Sequence, residues 1–156
     1  MRFVKAAGSV GGKLMKIVLV TGGFDPIHSG HISYLTAAKQ LGNLLCVGMN
    51  SDEWLKRKKG KAFLPLNERG AIVYAIKGVD FVIDFDDSDD SARDAIRKVR
   101  TMFPSAQIVF ANGGDRTRAN IPEMDIEDPN LQFAFGVGGT DKMNSSSWIL
   151  KNWEND

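Results

Sequence analysis

The 156-residue sequence holds one cysteine and two histidines. Cys46 alone excludes an internal disulfide and a cysteine-built zinc site. It lies in the apolar run "LLCVGM", where a small buried hydrophobe is expected rather than a reactive thiol. No apolar stretch nears the roughly 20 residues that cross a bilayer. Lysine and arginine number 20 against 19 aspartates and glutamates, and a net charge of +1 offers no bulk attraction to nucleic acid or an anionic membrane. Internal repeats and low-complexity linkers are missing as well. The length suits one domain with its own core. The opening "MRFVKAAGSVGGKLM" lacks a long apolar region and a cleavage site, so residues 1–15 are expected to be a poorly ordered extension or expression remnant. Residues 16–156 are then the working domain, expected in the cytoplasm.

What is present alternates short β-branched runs with amphipathic segments. "KIVLVT", "NLLCVGMN", "DFVIDF", "AQIVFAN" and "LQFAFGVG" have the length and apolar density of strands buried on both faces. Between them, "HISYLTAAKQLG" predicts a helix with Ile32, Leu35, Ala38 and Leu41 inward, stopped at Gly42. "NERGAIVYAIKG" predicts a second, capped by Asn67, carrying Ile72 and Ile76 on one side and ending at Gly78. "SARDAIRKVRTMF" predicts a third with Ala92, Ile96, Val99 and Phe103 inward, and "SSSWILKNW" starts a last one. "LKRKKGK" (55–61) is expected to be a basic loop. The acidic "DFDDSDDSARD" is expected to be a solvated loop favouring the helix start near Ser91, since its spacing does not match a calcium loop. This order implies an α/β fold, a Rossmann-like doubly wound sheet of five parallel strands in a single domain. Ligands of such sheets bind beyond the carboxyl ends of the strands, where strand order reverses.

The first of those loops is "TGGFDPIHSGH", which contains both histidines. Gly22 and Gly23 allow a sharp turn and a close backbone approach to phosphate, and Asp25-Pro26 sets a turn. His28 and His31 fall three apart at a helix start, so both rings share one face. Unpaired N–H groups and the helix dipole already favour an anion there, and two imidazoles can add hydrogen bonds to phosphate oxygens. A metal site is disfavoured because zinc-binding histidine pairs on helices are commonly four apart. The loop lacks a G-x-G-x-x-G fingerprint, and "GSVGGKL" fails as a P-loop, with Ala7 and Leu14 at two of its required positions. Phosphate binding is the expectation.

"TGGFDPIHSGH" resembles the H-x-G-H signature of the cytidylyltransferase-like nucleotidyltransferases. "VGMNSDEWLKRKKGK", "PLNERGAIVYAIKGVDFVIDF" and "FANGGDR" are most similar to the heptose-phosphate adenylyltransferase and glycerol-3-phosphate cytidylyltransferase branches. The resemblance implies in-line attack by a sugar- or polyol-phosphate on the α-phosphorus of CTP or ATP, with magnesium accompanying the triphosphate and pyrophosphate leaving. It implies that Thr21, Gly22, Gly23, Phe24 and Asp25 line the nucleotide. His28 and His31 would hold its phosphates, together with Lys58 or Lys59, while Lys61 faces the acceptor. Apart from the resemblance, "RTRANIPEMDIEDPN" (116–130) is a long polar connection of a length that is often functional, and its Arg116 and Arg118 either grip an acceptor phosphate or are solvated. Asp115 in "NGGDR" matches the segment near ribose and base. In "DKMNSSSWIL", Lys142 and the hydroxyls of Ser145, Ser146 and Ser147 match the element that holds the β- and γ-phosphates. Here Thr140 and Asn144 stand where the glycerol-phosphate branch has an arginine and an isoleucine. Arg69 and Asp80 occupy positions frequent in the family, Arg69 with an ion-pair role open beside a functional one. "KMNSS" also resembles the signature loop of class I aminoacyl-tRNA synthetases, whose additional modules a chain of this length cannot house. Small-molecule substrates and a homodimer are expected, with no nucleic acid and no membrane partner. A nucleotide-binding sensor without catalysis, or one part of a larger nucleotide-sugar enzyme, is the alternative.

Overall fold

A computed structural model describes residues 2–4, 15–114, 116–139 and 145–155. Six strands form one sheet: β1 (Arg2–Val4), β2 (Lys16–Gly22), β3 (Leu44–Met49), β4 (Phe81–Asp84), β5 (Gln107–Ala111) and β6 (Leu131–Ala134). Their spatial order is β1-β4-β3-β2-β5-β6. β2 to β6 are parallel, as the sequence pattern implies, and β1 adds an antiparallel edge in which Phe3 faces Val82. Three residues of the segment expected to be a loose extension thus belong to the sheet.

Alternation along the strands divides the core in two. Val18, Val20, Leu45, Val47 and Val82 point to one face and are covered by α1 (Ser29–Lys39) and α3 (Leu66–Tyr74). Ile17, Leu19, Cys46, Ile83 and Ile108 point to the other and are covered by α4 (Arg93–Met102). The winding reverses between β2 and β5, the neighbours at the centre of the sheet. Cys46 is fully buried, as expected.

Several local expectations are corrected. Leu35 and Ala38 of α1 are buried, but Ile32 is 41% exposed and Leu41 lies beyond the helix end. An i, i+3 stripe turns by about 60° per step on a 3.6-residue helix, so only its middle meets the sheet. The basic segment is a helix, α2 (Asp52–Lys59), rather than a loop. Ser51 Oγ accepts from Trp54 N–H at its start, Asp52 and Glu53 occupy its first turn, and its last turn is basic. Gly60 closes it at φ 89°. Charge of each sign thus lies at the end of the helix dipole that it favours. α3 starts at Leu66, with Pro65 in the cap position, so Asn67 lies inside the first turn. The acidic segment is not uniformly solvated. Asp87 is buried and accepts from Asn50 Nδ2 (3.0 Å), Ser51 N (2.8 Å) and Ser51 Oγ (2.7 Å).

Arg69 is buried to 1% exposure and joins three loops. Its Nη1 donates to Gly23 O and Asn50 O, both at 2.9 Å, and its Nε donates to Leu64 O at 2.9 Å. Nη2 meets Asp52 Oδ1 at 2.6 Å. Arg69→Ala would orphan three carbonyls and a carboxylate, and it is expected to cost about 3–5 kcal/mol in urea unfolding of the whole chain. Arg69→Lys should recover only part of this, because an ammonium cannot reproduce the planar fork.

Candidate active site

The loop after β2 turns through Phe24 at φ 51° and a cis Asp25–Pro26 bond into His28. His28 is the N-cap of α1, and its Nδ1 accepts from Gly30 N–H at 3.0 Å. His31 Nδ1 in turn accepts from His28 N–H at 3.2 Å. The two imidazoles thereby form a reciprocal capping box, a role usually taken by a hydroxyl and a carboxylate. A ring nitrogen that accepts carries no proton, so each ring is the Nε2–H tautomer. The ring centroids lie 3.9 Å apart, and Phe24 packs behind His31 at 5.0 Å. Neither Nε2–H makes a hydrogen bond among the described residues.

Both rings are held neutral. Burial pushes His31 down to about 4, with help from the neighbouring His28 and from Lys59. Burial and then Lys59 lower His28. Lys59 is itself lowered by burial, an effect the nearby Asp25 opposes. Its Nζ donates to Asp25 O at 3.2 Å.

These groups line a cavity of about 480 Å³ at the carboxyl ends of the strands. Thr21, Gly22, His28, His31, Lys59, Arg116, Ser145, Ser146 and Ser147 all line it. Ser146 Oγ donates to Pro26 O at 2.7 Å, which binds the start of α5 (Ser146–Asn155) to the histidine loop. Five other expected site residues stand behind or beside the wall. Gly23 supports packing, since a Cβ there would lie 2.8 Å from Leu55 Cδ2. Phe24 is buried in the core. Asp25 is spent on Phe63 N (2.6 Å) and Leu64 N (2.9 Å). Lys58 lies over the Trp54 ring at 5.9 Å, and Lys61 is exposed. Asp115 and Lys142 lie outside the described residues, as do Thr140 and Asn144. Of Lys58 and Lys59, Lys59 lines the cavity and Lys58 does not.

The cavity also recruits residues that the sequence did not single out. Tyr34 follows His31 by one helical turn, a spacing that could have marked it. Its hydroxyl donates to Ala111 O, and burial raises its pKa well above the usual range. Gly138, at φ 83°, runs against α1 so closely that a Cβ would meet Tyr34 Cα at 3.0 Å. Asn50 and Asn112 follow β3 and β5 directly, at the positions where such sheets bind ligands. Trp54, Phe85 and Glu123 also line the cavity; only Glu123 lies in a segment that the sequence marks, the long connection 116–130. Among the described residues no three His, Cys, Asp or Glu side chains gather as a metal site. No helix among them is long and apolar enough to cross a membrane.

Residues 19–134 match the profile of the cytidylyltransferase-like family, which takes in most of the chain. The chain belongs to that family. Members of this cytidylyltransferase-like family are nucleotidyltransferases, and the chain is assigned to that enzyme class. The bifunctional protein HldE of Sodalis glossinidius is 39% identical over 102 residues, covering 64% of the chain and 20% of the relative. HldE of Geobacter metallireducens is 34% identical over 113 residues, covering 71% and 21%. The chain thus spans about a fifth of the length of these curated relatives. The crystal structure of a lipopolysaccharide core biosynthesis protein from Thermoplasma volcanium shares the fold, with a TM-score of 0.59 at 24% identity, covering 78% of the chain and 95% of the other. A Vibrio parahaemolyticus structure assigned as a nicotinate-nucleotide adenylyltransferase gives 0.56 at 16% identity, covering 91% and 88%.

The caps make stability depend on pH. In the unfolded chain His31 protonates near 6.5, whereas in the folded protein it does so near 4. Between these values the unfolded state binds more protons, so acid favours unfolding. The contribution is complete above about 6.5 and lost as the pH falls towards about 4. Urea midpoints measured across this range should fall with acidification, and His31→Gln should flatten that slope.

Proposed function

We propose that this member of the cytidylyltransferase-like family transfers an adenylyl group from ATP to a sugar phosphate. The observation that carries the reading is the pair of Nε2–H donors at the start of α1, on one cavity with Lys59 and the serines of α5. The preference for ATP and a sugar phosphate rests on the HldE relatives and on the heptose-phosphate branch that the motifs resemble.

In this reading the triphosphate lies across the starts of α1 and α5, where the histidine Nε2–H groups and the serine hydroxyls favour an anion. An acceptor phosphate oxygen attacks the α-phosphorus as the bond to the bridging oxygen of pyrophosphate breaks. His28 and His31 donate to the oxygens on which charge accumulates, and Lys59 neutralises it. No covalent intermediate with the protein forms, and the remaining contribution is alignment. Magnesium would be carried largely on the phosphates' own oxygens, where it offsets their charge. Neutral imidazoles suit this task, because both cap the helix through Nδ1 and donate through Nε2.

A second reading draws on length. The relatives carry the matching region as a fifth of longer bifunctional proteins, so the domain also suits one component of a larger nucleotide-sugar enzyme.

Pyrophosphate release with ATP or CTP against phosphorylated sugars and polyols, in magnesium, tests the assignment. His28→Ala and His31→Ala should each lower turnover by about 10² or more, with circular dichroism confirming the fold. Lys59→Ala should lose activity comparably, whereas Lys58→Ala should retain it. Full activity in either histidine variant would refute the proposal.

A further inference from the structure

The cavity has two chemically different sides, because helices approach it from opposite faces of the sheet. From the start of α1 and the end of α2 come His28, His31 and Lys59. From the α4 face come Ser91, Ala92 and Glu123. Glu123 lies in a short 3-10 turn, Pro122–Asp125, within the long connection between β5 and β6. Ile121 packs into the core beside it. Arg93 fixes the turn, with Nε and Nη2 on Asp125 at 3.0 and 2.8 Å and Nη2 on Pro122 O at 3.0 Å.

Glu123 is 5% exposed, and its Oε2 accepts from Ala92 N–H at 2.8 Å, at the start of α4. Its other oxygen makes no hydrogen bond among the described residues. Glu123 lines the cavity, with the charge of Arg93 also acting on its carboxylate. A carboxylate oxygen in such a place gains most from a hydrogen-bond donor and repels a phosphate. Phe85 and Phe110, on the same face, give an apolar wall for a carbon skeleton.

We infer that Glu123 is a specificity-determining residue, receiving a hydrogen bond from a hydroxyl on the acceptor's carbon skeleton while the acceptor's phosphate faces His28 and Lys59. The inference rests on the nucleotidyl-transfer reading above and names the residue that would read the acceptor's hydroxyls. Its argument is one of charge: each end of the acceptor meets the side of the cavity that complements it.

The test is calorimetric titration of the whole chain and of Glu123→Gln. The probes are an ATP analogue with a methylene between the α- and β-phosphates, then a hexose 1-phosphate or inorganic phosphate in its presence. The glutamine oxygen can still accept from Ala92 N–H, so the melting temperature should hold. Affinity for the hexose 1-phosphate should fall about tenfold, as expected for losing a hydrogen bond to a charged group. Affinity for the analogue and for inorganic phosphate should not change. Equal hexose 1-phosphate affinity in both proteins would overturn the inference and reduce Glu123 to a helix cap. Failure of the unsubstituted chain to bind the hexose 1-phosphate, with the analogue bound, would also overturn it and leave the nucleotide reading standing. Failure to bind the analogue would overturn both.

Discussion

One buried guanidinium holds the mouth of this domain together. Arg69 takes a carbonyl from the loop after β2, another from the end of β3, a third from just before α3, and a carboxylate from the first turn of α2. A buried charge is tolerated only where its donors are satisfied, and these four acceptors satisfy it. They also fix where the histidine loop ends and where α2 begins. Lys59 and Trp54, both on α2, reach the cavity because that start is pinned. Asp87 reinforces the arrangement from the other side through Asn50 and Ser51. The ion-pair role left open for Arg69 by the sequence is the one that the geometry displays.

The histidine pair shows economy of a different kind. Helix starts have orphan N–H groups, and an anion-binding site would leave them for the ligand. Here the imidazoles satisfy two backbone donors through Nδ1 and keep Nε2–H for outward use. The tautomer is therefore set by secondary structure, without a carboxylate behind either ring. The same bonds require both rings to be neutral, which burial and Lys59 enforce.

What the sequence made legible follows from how local each signal is. The five parallel strands were visible because each is a short run buried on both faces. The histidine side of the cavity was visible because His28, His31 and Gly22 are close neighbours in sequence. α2 was misread as a loop because its charged composition hid the helix, although Ser51, the acidic first turn and Gly60 were all in place. Asp25 and Phe24 looked like ligand contacts from position alone, and burial shows them supporting the loop instead. The connection 116–130 stood out by its length, but Glu123 within it did not: its place at the cavity follows from the folding of that connection against α4 through Arg93 and Ile121.

The separation of the two faces carries a consequence for how such a domain can diverge. The histidine side of the cavity is written into helix caps beside a buried arginine, so drift there also costs stability. The opposite wall is written into a connection that spans the gap between two strands and bonds to α4 rather than to the histidine caps in the described hydrogen-bond network. Insertions or exchanges along that connection can alter the clientele of the cavity while its chemistry is inherited unchanged.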